Sequence, residues 1–494
     1  MVSDLINYLD DKKINILGFG REGQSTYKLI RKYLPTKNLV ISDLKENFQD
    51  NFDILKNDDN VEFISGEKYL DNLETFDIII KSPGISFAKI DISKFKHKIS
   101  SQMELFMQFF NNYTIGITGT KGKSTTSSLI YTILKEQDKD CLLLGNIGKP
   151  IFEYIDEIDQ NTILVLEISA HQLEFMTYSP NIAILLNIFE EHLDHYKSYE
   201  DYIEAKCNIY KYQKKSDYFL YSLDNEELRR HIYNSKAITY TVSLVNNKDN
   251  KMSNFEDSKL DNVKDLKQLN AVKAKLSTKK DERTTELLEK NITDKADIRL
   301  EGDYVYFNKK KLYNRNEKRN LVGDYNLSNI MFALGVSEIL KLDLNKSIKS
   351  IDNFKTLKHR LEYVGNFDGV DFYDNSIATV PMSTIEAVKA LRNVDTLIIG
   401  GMDRGIDYSE FVKYLNNSDI SNIICMPKTG HDIAEKLKIK KAYVVETLEE
   451  AVSVAKKVTC KGKSCLLSPA AASYGFFKNF EEKGDMFQKL VRQK

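Results

Sequence analysis

Ile115-Gly116-Ile117-Thr118-Gly119-Thr120-Lys121-Gly122-Lys123-Ser124-Thr125-Thr126 is the stretch that decides how this chain reads. An apolar run gives way to glycines, then to Lys-Ser, and Ser127 to Leu134 continues as a helix. The pattern is strand, phosphate loop, helix. Glycines let backbone N–H groups turn toward a phosphate, and the helix N-terminus behind them adds partial positive charge. Lys123 can reach β- and γ-phosphates, and the Ser124 hydroxyl can ligate Mg²⁺. The spacing departs from G-x-x-x-x-G-K-S, because Ile117 stands five before Gly122 and Gly116 comes one residue early. A glycine-rich turn with a chance Lys-Ser is the bland alternative. It leaves unexplained why lysine, hydroxyls and glycines all share one structural frame.

Outward toward the N-terminus, Lys13 to Leu17 reads as a strand and runs into Gly18-Phe19-Gly20-Arg21-Glu22-Gly23. A helix follows from Gln24, and a second strand ends at Asp43. Glycines at this spacing with an acidic residue about 20 positions on form a dinucleotide fingerprint. Such a turn holds the pyrophosphate of any nucleotide. A third strand, Phe76 to Lys81, ends in Ser82-Pro83-Gly84.

Outward toward the C-terminus, further strands end in polar groups. Cys141–Leu144 leads to Gly145-Asn146, and Thr162–Leu166 to Glu167 with Gln172 beyond. Asn181–Leu186 leads to Asn187 and then Glu191-His192-Leu193-Asp194-His195. Polar groups at successive strand ends mark a ligand edge in a doubly wound sheet. Glu167, directly after its strand, suits a Mg²⁺ ligand facing the phosphate loop. His192 among carboxylates suits metal or substrate, whereas His195 reads as a solvent-exposed histidine beside capping residues.

Residues 244 to 295 form a polar stretch with one aromatic, Phe255, and cannot build a core of their own. This reads as an insertion, after which a hairpin is expected around Asn308-Lys309-Lys310. Asn326 and Asn329 are one turn apart on a helix and share a face. Past His359-Arg360 a third α/β pattern begins. Its turns are Asp374 to Thr379, Gly400 to Gly405 and Ser468 to Ser473.

The chain of 494 residues is long enough for about three domains. We expect an α/β protein with a Rossmann-like domain over 1–108, a P-loop α/β domain over 109–355 and a second Rossmann-like domain over 356–494. With 71 basic and 72 acidic residues the net charge is −1, which gives no reason to expect nucleic acid or an anionic membrane as partner. The five cysteines have no C-x-x-C spacing and read as reduced thiols, so a cytosolic protein is expected. No apolar run is long enough for a membrane span. A monomer is expected.

The string Thr118 to Ser124 resembles the ATP loop of the Mur ligases, ATP-dependent amide-forming enzymes of peptidoglycan precursor synthesis. The resemblance continues in order through Glu167–Glu174, Asn187–Asp194, Glu204-Ala205-Lys206, Asn326–Asn329, His359-Arg360 and Asp374–Thr379. It ends at Leu467–Ser473 with Phe477-Lys478-Asn479-Phe480, so only the 244–295 insertion falls outside it. Ser82-Pro83-Gly84 and the C-terminal ending resemble the member that adds D-glutamate to UDP-N-acetylmuramoyl-L-alanine.

The resemblance implies a role for each motif. UDP would lie at Gly18, Phe19, Gly20, Gly23, Asp43, Ser82, Pro83 and Gly84, with Asn146 and Gln172 facing the muramoyl-alanine part. ATP would lie at Gly119, Thr120, Lys121, Gly122, Lys123, Ser124 and Thr125, with Asn329, Arg360 and Asp374. Two Mg²⁺ ions would be held by Ser124, Glu167, His192 and Lys206, the last as a carbamate. Lys123, His192 and Lys206 would be catalytic, and Thr379, Arg404, Ser473 and Phe480 would surround D-glutamate. The implied reaction passes through an acyl phosphate and yields ADP and phosphate.

Some positions depart from the family pattern: Ile377 stands where a lysine is usual, Val380 follows Thr379, and Asp374-Asn375 reverses the common order. Glu191 replaces a more usual aspartate, and His171 an apolar residue. The competing readings are a same-family ligase for another amino acid such as L-glutamate, an NAD-dependent dehydrogenase built on Gly18–Gly23 and Asp43, and a nucleotide-binding protein without catalysis.

Overall fold

The computed structural model describes residues 2–148, 150–191, 195–232, 235–245, 296–317, 319–391, 393–438 and 441–493. His192 and nearly all of the 244–295 insertion lie outside the described residues. Among the described residues the strands form three sheets.

The first sheet contains β1 (Ile14–Leu17), β2 (Leu39–Asp43), β3 (Val61–Ser65), β4 (Ile78–Lys81) and β5 (Ile99–Ser100). Its order is β3-β2-β1-β4-β5 and every pairing is parallel. β1 is buried along its whole length, as a central parallel strand covered on both faces must be. The strand order reverses between β1 and β4, and a crevice opens at such a switch point. The Gly18–Gly23 turn leaves one of these strands and Ser82-Pro83-Gly84 the other. Gly18 is in the left-handed region, with φ +87°. A Cβ on Gly23 would sit 2.1 Å from the Gly18 carbonyl oxygen, so the helix Arg21–Tyr33 can start this close to the strand only on a glycine.

The second sheet contains β6 (Thr114–Thr118), β7 (Cys141–Gly145), β8 (Ile163–Glu167), β9 (Ile182–Leu185), β10 (Tyr218–Ser222), β11 (Ile238–Ser243), β12 (Ile298–Glu301), β13 (Tyr304–Phe307) and β14 (Lys310–Asn314). Its order is β14-β13-β12-β11-β10-β9-β6-β8-β7. The strands from β7 to β12 are parallel, and β13 and β14 turn back antiparallel at the edge. Asn308, with φ +52°, makes the expected hairpin turn. The phosphate loop therefore leaves an interior strand, flanked by β8 and β9.

The third sheet contains β15 (Glu362–Phe367), β16 (Val370–Asp374), β17 (Val394–Ile399), β18 (Asn422–Cys425), β19 (Lys441–Val444) and β20 (Ser464–Leu467). Its order is β15-β16-β20-β17-β18-β19, parallel except for β15.

The chain divides into two compact units. Met1–Glu317 with Ser328–Ile351 holds the first two sheets, and Lys318–Leu327 with Asp352–Lys494 holds the third. In the first unit one apolar core takes residues from both sheets, among them Ile14, Ile16, Leu166 and Leu185, all fully buried. Burying each such side chain contributes about 1.5–3 kcal/mol relative to leaving it in water.

Gly23→Ala is expected to destabilise the first unit by about 1–3 kcal/mol, since its new methyl meets backbone that cannot swing aside. Gly84→Ala has open space around the new Cβ and should change stability by about 0.5 kcal/mol or less. Urea unfolding of the two variants checks the contrast.

Candidate active site

The phosphate loop runs from the end of β6 into the helix Lys123–Lys135, with Gly122 as the left-handed N-cap at φ +90°. A Cβ on Gly122 would come within 2.7 Å of Asn329 Oδ1, and one on Gly119 within 2.9 Å of the Leu186 side chain. The loop is thus pressed between the end of β9 and the Asn329 helix. Asn187 clamps it from both sides. The Lys121 N–H donates to Asn187 Oδ1 at 2.8 Å, and Asn187 Nδ2 donates to the Lys121 carbonyl at 3.0 Å. The Thr120 N–H donates to the Asn187 carbonyl at 2.9 Å. Thr120 Oγ1 lies 2.9 Å from the Tyr202 hydroxyl, and Thr126 Oγ1 donates to Asn329 Oδ1 at 3.2 Å.

Two lysines converge on this loop. Lys123 Nζ donates to the carbonyls of Gly119 at 2.8 Å and Thr120 at 3.0 Å. Lys206 Nζ, from the helix Tyr199–Lys211, donates to the same Gly119 carbonyl at 3.0 Å. Lys206 is buried, with its ammonium 4.9 Å from the Tyr202 ring centroid. Burial, and then the neighbouring Lys123 charge, push the Lys206 ammonium well below the ordinary lysine range. Lys121 pairs with Glu191 at 2.7 Å.

Glu167 ends β8 and is in register with Ile117 of β6, so its carboxylate sits one strand from the loop. Asn146 Nδ2 donates to Glu167 Oε1 at 2.8 Å. Glu167 Oε2 is buried without a hydrogen-bond partner, as is Thr118 Oγ1 at the end of β6. The hydroxyl of Ser124 is in the first turn of the helix behind the loop. These are hard oxygen donors, the set a Mg²⁺ ion takes.

At the N-terminal turns, several expected ligand contacts are occupied inside the fold. Asp43 accepts from the Phe19 N–H at 2.8 Å and the Lys45 N–H at 2.9 Å. Phe19 is buried, with its ring 5.0–5.9 Å from those of Tyr27, Phe48 and Phe52, so only its backbone is available to a ligand. Ser82 Oγ donates to the Gly18 carbonyl at 2.7 Å and joins the two turns. Gln172 forms a capping box with Ser169 and donates from Nε2 to Glu22 Oε1 at 2.7 Å. Lys81 Nζ is 3.1 Å from Glu174 Oε2, which also meets His195 Nε2 at 3.2 Å. His195, expected to be an ordinary surface histidine, is instead buried in this cluster.

In the second compact unit, Asp374 is fully buried at the end of β16. It accepts from Ser376 Oγ at 2.7 Å and Gln488 Nε2 at 3.0 Å, and lies 2.8 Å from His359 Nδ1. Both Asp374 oxygens are thus hydrogen-bonded within the fold. Burial pushes its carboxyl up, but the hydrogen bonds from His359, Gln488 and Ser376 outweigh that and hold it below the usual range. The bond to Asp374 raises the His359 imidazole above its ordinary value, against the opposing effect of burial. Arg360 follows His359, and Thr379 is half-buried at the end of the Asp374 turn. Arg404 is exposed on the turn after Gly400-Gly401. Ser473 Oγ is buried without a partner, and the half-buried Phe480 opens the helix Phe480–Arg492, whose N-cap Asn479 accepts from the Glu482 N–H.

Residues 117–279 match the Mur ligase middle domain, and residues 359–471 match the Mur ligase glutamate ligase domain. A protein of Clostridium kluyveri named UDP-N-acetylmuramoylalanine–D-glutamate ligase is 32% identical, and the match covers 99% of this chain and 98% of that one. The chain belongs to the Mur ligase family. A Clostridioides difficile protein of the same name is 30% identical over 98% of this chain and 99% of its own. Among solved structures, a MurF ligase from Thermotoga maritima in complex with ADP superposes with TM-score 0.56 at 16% identity, covering 97% of this chain and 94% of that one. MurC from Thermotoga maritima gives TM-score 0.54 at 18% identity over 97% and 98%. At that identity these two show the shared fold.

Membership in the Mur ligase family removes the dehydrogenase reading of Gly18–Gly23. Asn187, Tyr202 and Glu22, which this Mur ligase uses around its turns, are not among the site residues expected from sequence. Asn187 alone carried a visible signal, as a polar residue directly after an apolar strand. No helix among the described residues is long and apolar enough to cross a membrane.

The His359–Asp374 pair predicts a pH dependence. His359 is raised relative to the unfolded chain, so its stabilisation is fully present below the unfolded histidine value near 6.5 and is lost as pH rises through the folded value. Asp374 is lowered, so its part is present above the unfolded carboxylate value and lost on acidification. The second unit should therefore be less stable at alkaline than at mildly acidic pH, by about 1 kcal/mol, the excess of a charged over a neutral hydrogen bond. His359→Asn should flatten that slope. Urea unfolding of both proteins from pH 5 to 9 measures it.

Proposed function

We propose that this Mur ligase joins D-glutamate to UDP-N-acetylmuramoyl-L-alanine at the expense of ATP, in the cytoplasm, as a step of peptidoglycan precursor synthesis. The observation that carries the reading is the convergence of Lys123 and Lys206 on one loop carbonyl, with a half-satisfied buried carboxylate, Glu167, at the end of the adjacent strand. Full-length relatives whose names state that reaction support the substrate assignment. The N-terminal turns would hold UDP through backbone groups of Gly18–Gly23 and Ser82–Gly84. Asn146 and Gln172 would orient the muramoyl-alanine end, Gln172 with its amide fixed by Ser169 and Glu22.

An alanine carboxylate oxygen attacks the γ-phosphorus of ATP, the bond to the bridging oxygen breaks, and ADP leaves. The glutamate amine then attacks the acyl carbon, loses a proton, and phosphate departs. Lys123 stabilises charge that develops on the phosphoryl oxygens. Asn329 and Arg360 would contact the nucleotide. Ser124, Glu167, His192 and Lys206 would hold Mg²⁺, which would supply further charge neutralisation at the phosphates. Lys206 is suited to carbamate formation, because its depressed ammonium yields the neutral amine that reacts with CO₂, and the carbamate is an oxygen ligand. Thr379, Arg404, Ser473 and the Phe480 N–H would bind the two carboxylates of glutamate. Enclosure of the acyl phosphate would keep water from it.

Phosphate release with UDP-N-acetylmuramoyl-L-alanine, ATP, Mg²⁺ and each of D-glutamate, L-glutamate and a diamino acid tests the assignment. Preferred release with D-glutamate is expected, and preference for another amino acid removes the named substrate. Lys123→Ala should slow turnover by about 10²-fold or more, equivalent to about 3 kcal/mol of transition-state stabilisation, with folding intact. Near-normal turnover would remove the phosphate-loop role. Lys206→Ala should be nearly inactive, and short carboxylic acids should restore part of its activity.

A further inference from the structure

Lys483 is among the most deeply buried large side chains of the protein, yet it belongs to none of the motifs above. It lies one turn into the helix Phe480–Arg492, on the face it shares with the core residue Phe487. Its Nζ donates to the Gly400 carbonyl at 2.9 Å, and the Phe477 ring centroid lies 5.7 Å away. Burial pushes the Lys483 ammonium down to about 7, against an opposing pull from Asp374. An apolar side chain of the same length would avoid that desolvation. The lysine is retained at a cost to stability, and its hydrogen bond holds the Gly400 carbonyl.

That bond joins two elements. Gly400 opens the turn that carries Arg404. A Cβ at Gly400 would lie 2.3 Å from the Met426 carbonyl, and one at Gly401 2.3 Å from the Ala472 carbonyl, so the turn is fitted tightly to its neighbours. The Gly400 N–H donates to the Pro469 carbonyl at 2.9 Å and the Met402 N–H to the Ala472 carbonyl at 2.8 Å, which seats the turn beside the Ser468–Ser473 loop. Thr429 Oγ1 holds the Gly401 carbonyl at 3.1 Å. The Gly400 carbonyl is the point at which the Phe480 helix reaches this assembly. Phe480 stands three residues before Lys483 and Arg404 four residues after Gly400.

We propose that Lys483 is a positioning residue that sets the distance between two carboxylate-binding elements, the Arg404 turn with Ser473 seated beside it and the start of the Phe480 helix, and so selects the chain length of the dicarboxylic amino acid. This rests on the glutamate reading given above. A lysine tip fixed by its N–H to a backbone carbonyl is a spacer of defined length in either protonation state. A methionine there would fill the same volume and leave the helix start and the turn to settle independently.

Steady-state kinetics on the full chain test this, with D-glutamate, D-aspartate and D-2-aminoadipate as alternative acceptors, alongside thermal unfolding. Lys483→Met should raise the KM for glutamate at least tenfold and leave the KM values for ATP and the UDP substrate within about twofold. It should cut the preference for glutamate over the shorter and longer acids at least fivefold. Its Tm should be unchanged or higher, which a merely structural role would not give. Lys483→Arg, which keeps the donor, should stay within threefold of the wild type in all these values. If Lys483→Met does not fold, Lys483→Gln, too short to reach Gly400, serves for the same comparison. An unaltered glutamate KM and length preference overturns the proposal, as does an equal rise in all three KM values with a lower Tm. If the wild-type protein turns over another amino acid and not glutamate, the substrate reading fails by itself, before any variant is compared.

Discussion

Two ammonium groups donate to one carbonyl oxygen, that of Gly119, and the centre of the protein is built around that contact. Neutral carbonyls compensate two neighbouring cations drawn from water only in part, and Lys206 is buried. The site meets this in two ways. Lys206 gives up proton affinity, driven by its burial and by Lys123. Lys123, at the first turn of the helix behind the loop, keeps its charge beside a helix N-terminus, where an anion such as phosphate is favoured. The loop must be rigid for this to act on a ligand and not relax. Asn187 and Asn329 supply the rigidity, one from the strand beside the loop and one from a helix some 200 residues later in the chain.

Backbone routing was largely legible in the sequence, because it is written in local chemistry. Apolar runs ended by glycine or a polar group marked β1, β4, β6, β8, β9, β16, β17 and β20, and the hairpin turn at Asn308 was visible in the same way. How each polar atom is spent was much less legible. Asp43 has the position of a ribose-binding carboxylate, yet both its oxygens accept from nearby backbone N–H groups. Asp374 has the position of a nucleotide ligand, yet His359, Gln488 and Ser376 take up its lone pairs. The partner Gln488 stands 114 residues away on the last helix, and no spacing rule reaches that far. A motif states which groups are present at a turn, whereas tertiary packing decides which of them remain for a ligand.

The segment around Arg360 shows the same division of labour under strain. His359 and Leu361 both sit in the left-handed region, with φ +62° and +47°. Each such non-glycine residue costs about 1–2 kcal/mol, and a β-carbon on either side of Arg360 bears it. The surroundings hold the conformation. Glu362 Oε2 accepts the His359 N–H at 2.8 Å, Asn375 Oδ1 accepts the Leu361 N–H at 3.1 Å, and Asp374 holds the imidazole. Gly484 belongs to the same fit, since a Cβ there would lie 2.1 Å from His359 Nδ1. The reversed Asp374-Asn375 order thus has a use within the fold. The aspartate fixes the ring before Arg360, the asparagine fixes the backbone after it, and the Arg360 side chain starts from a backbone that cannot drift.

Buried oxygens without partners complete the picture, because native folds leave few of them and each needs a reason. Of the several such atoms among the described residues, which include Asn15 Oδ1, Ser25 Oγ and Asn112 Oδ1, Thr118 Oγ1 and Glu167 Oε2 stand at the ends of adjacent strands of the second sheet, and Ser473 Oγ lies in the loop after β20 of the third. Elsewhere at the same turns the neighbouring polar atoms are satisfied. Asn146 covers the other Glu167 oxygen, and Ser468 Oγ is paired with Asn375 and Thr384. A buried acceptor left alone costs about 1–3 kcal/mol, so three at carboxyl ends of parallel strands amount to a sizeable fraction of a domain's stability. The strand ends are also where a doubly wound sheet presents ligands. The same atoms that weaken the ligand-free protein are therefore those with capacity left for a cation or a substrate hydroxyl or carboxylate.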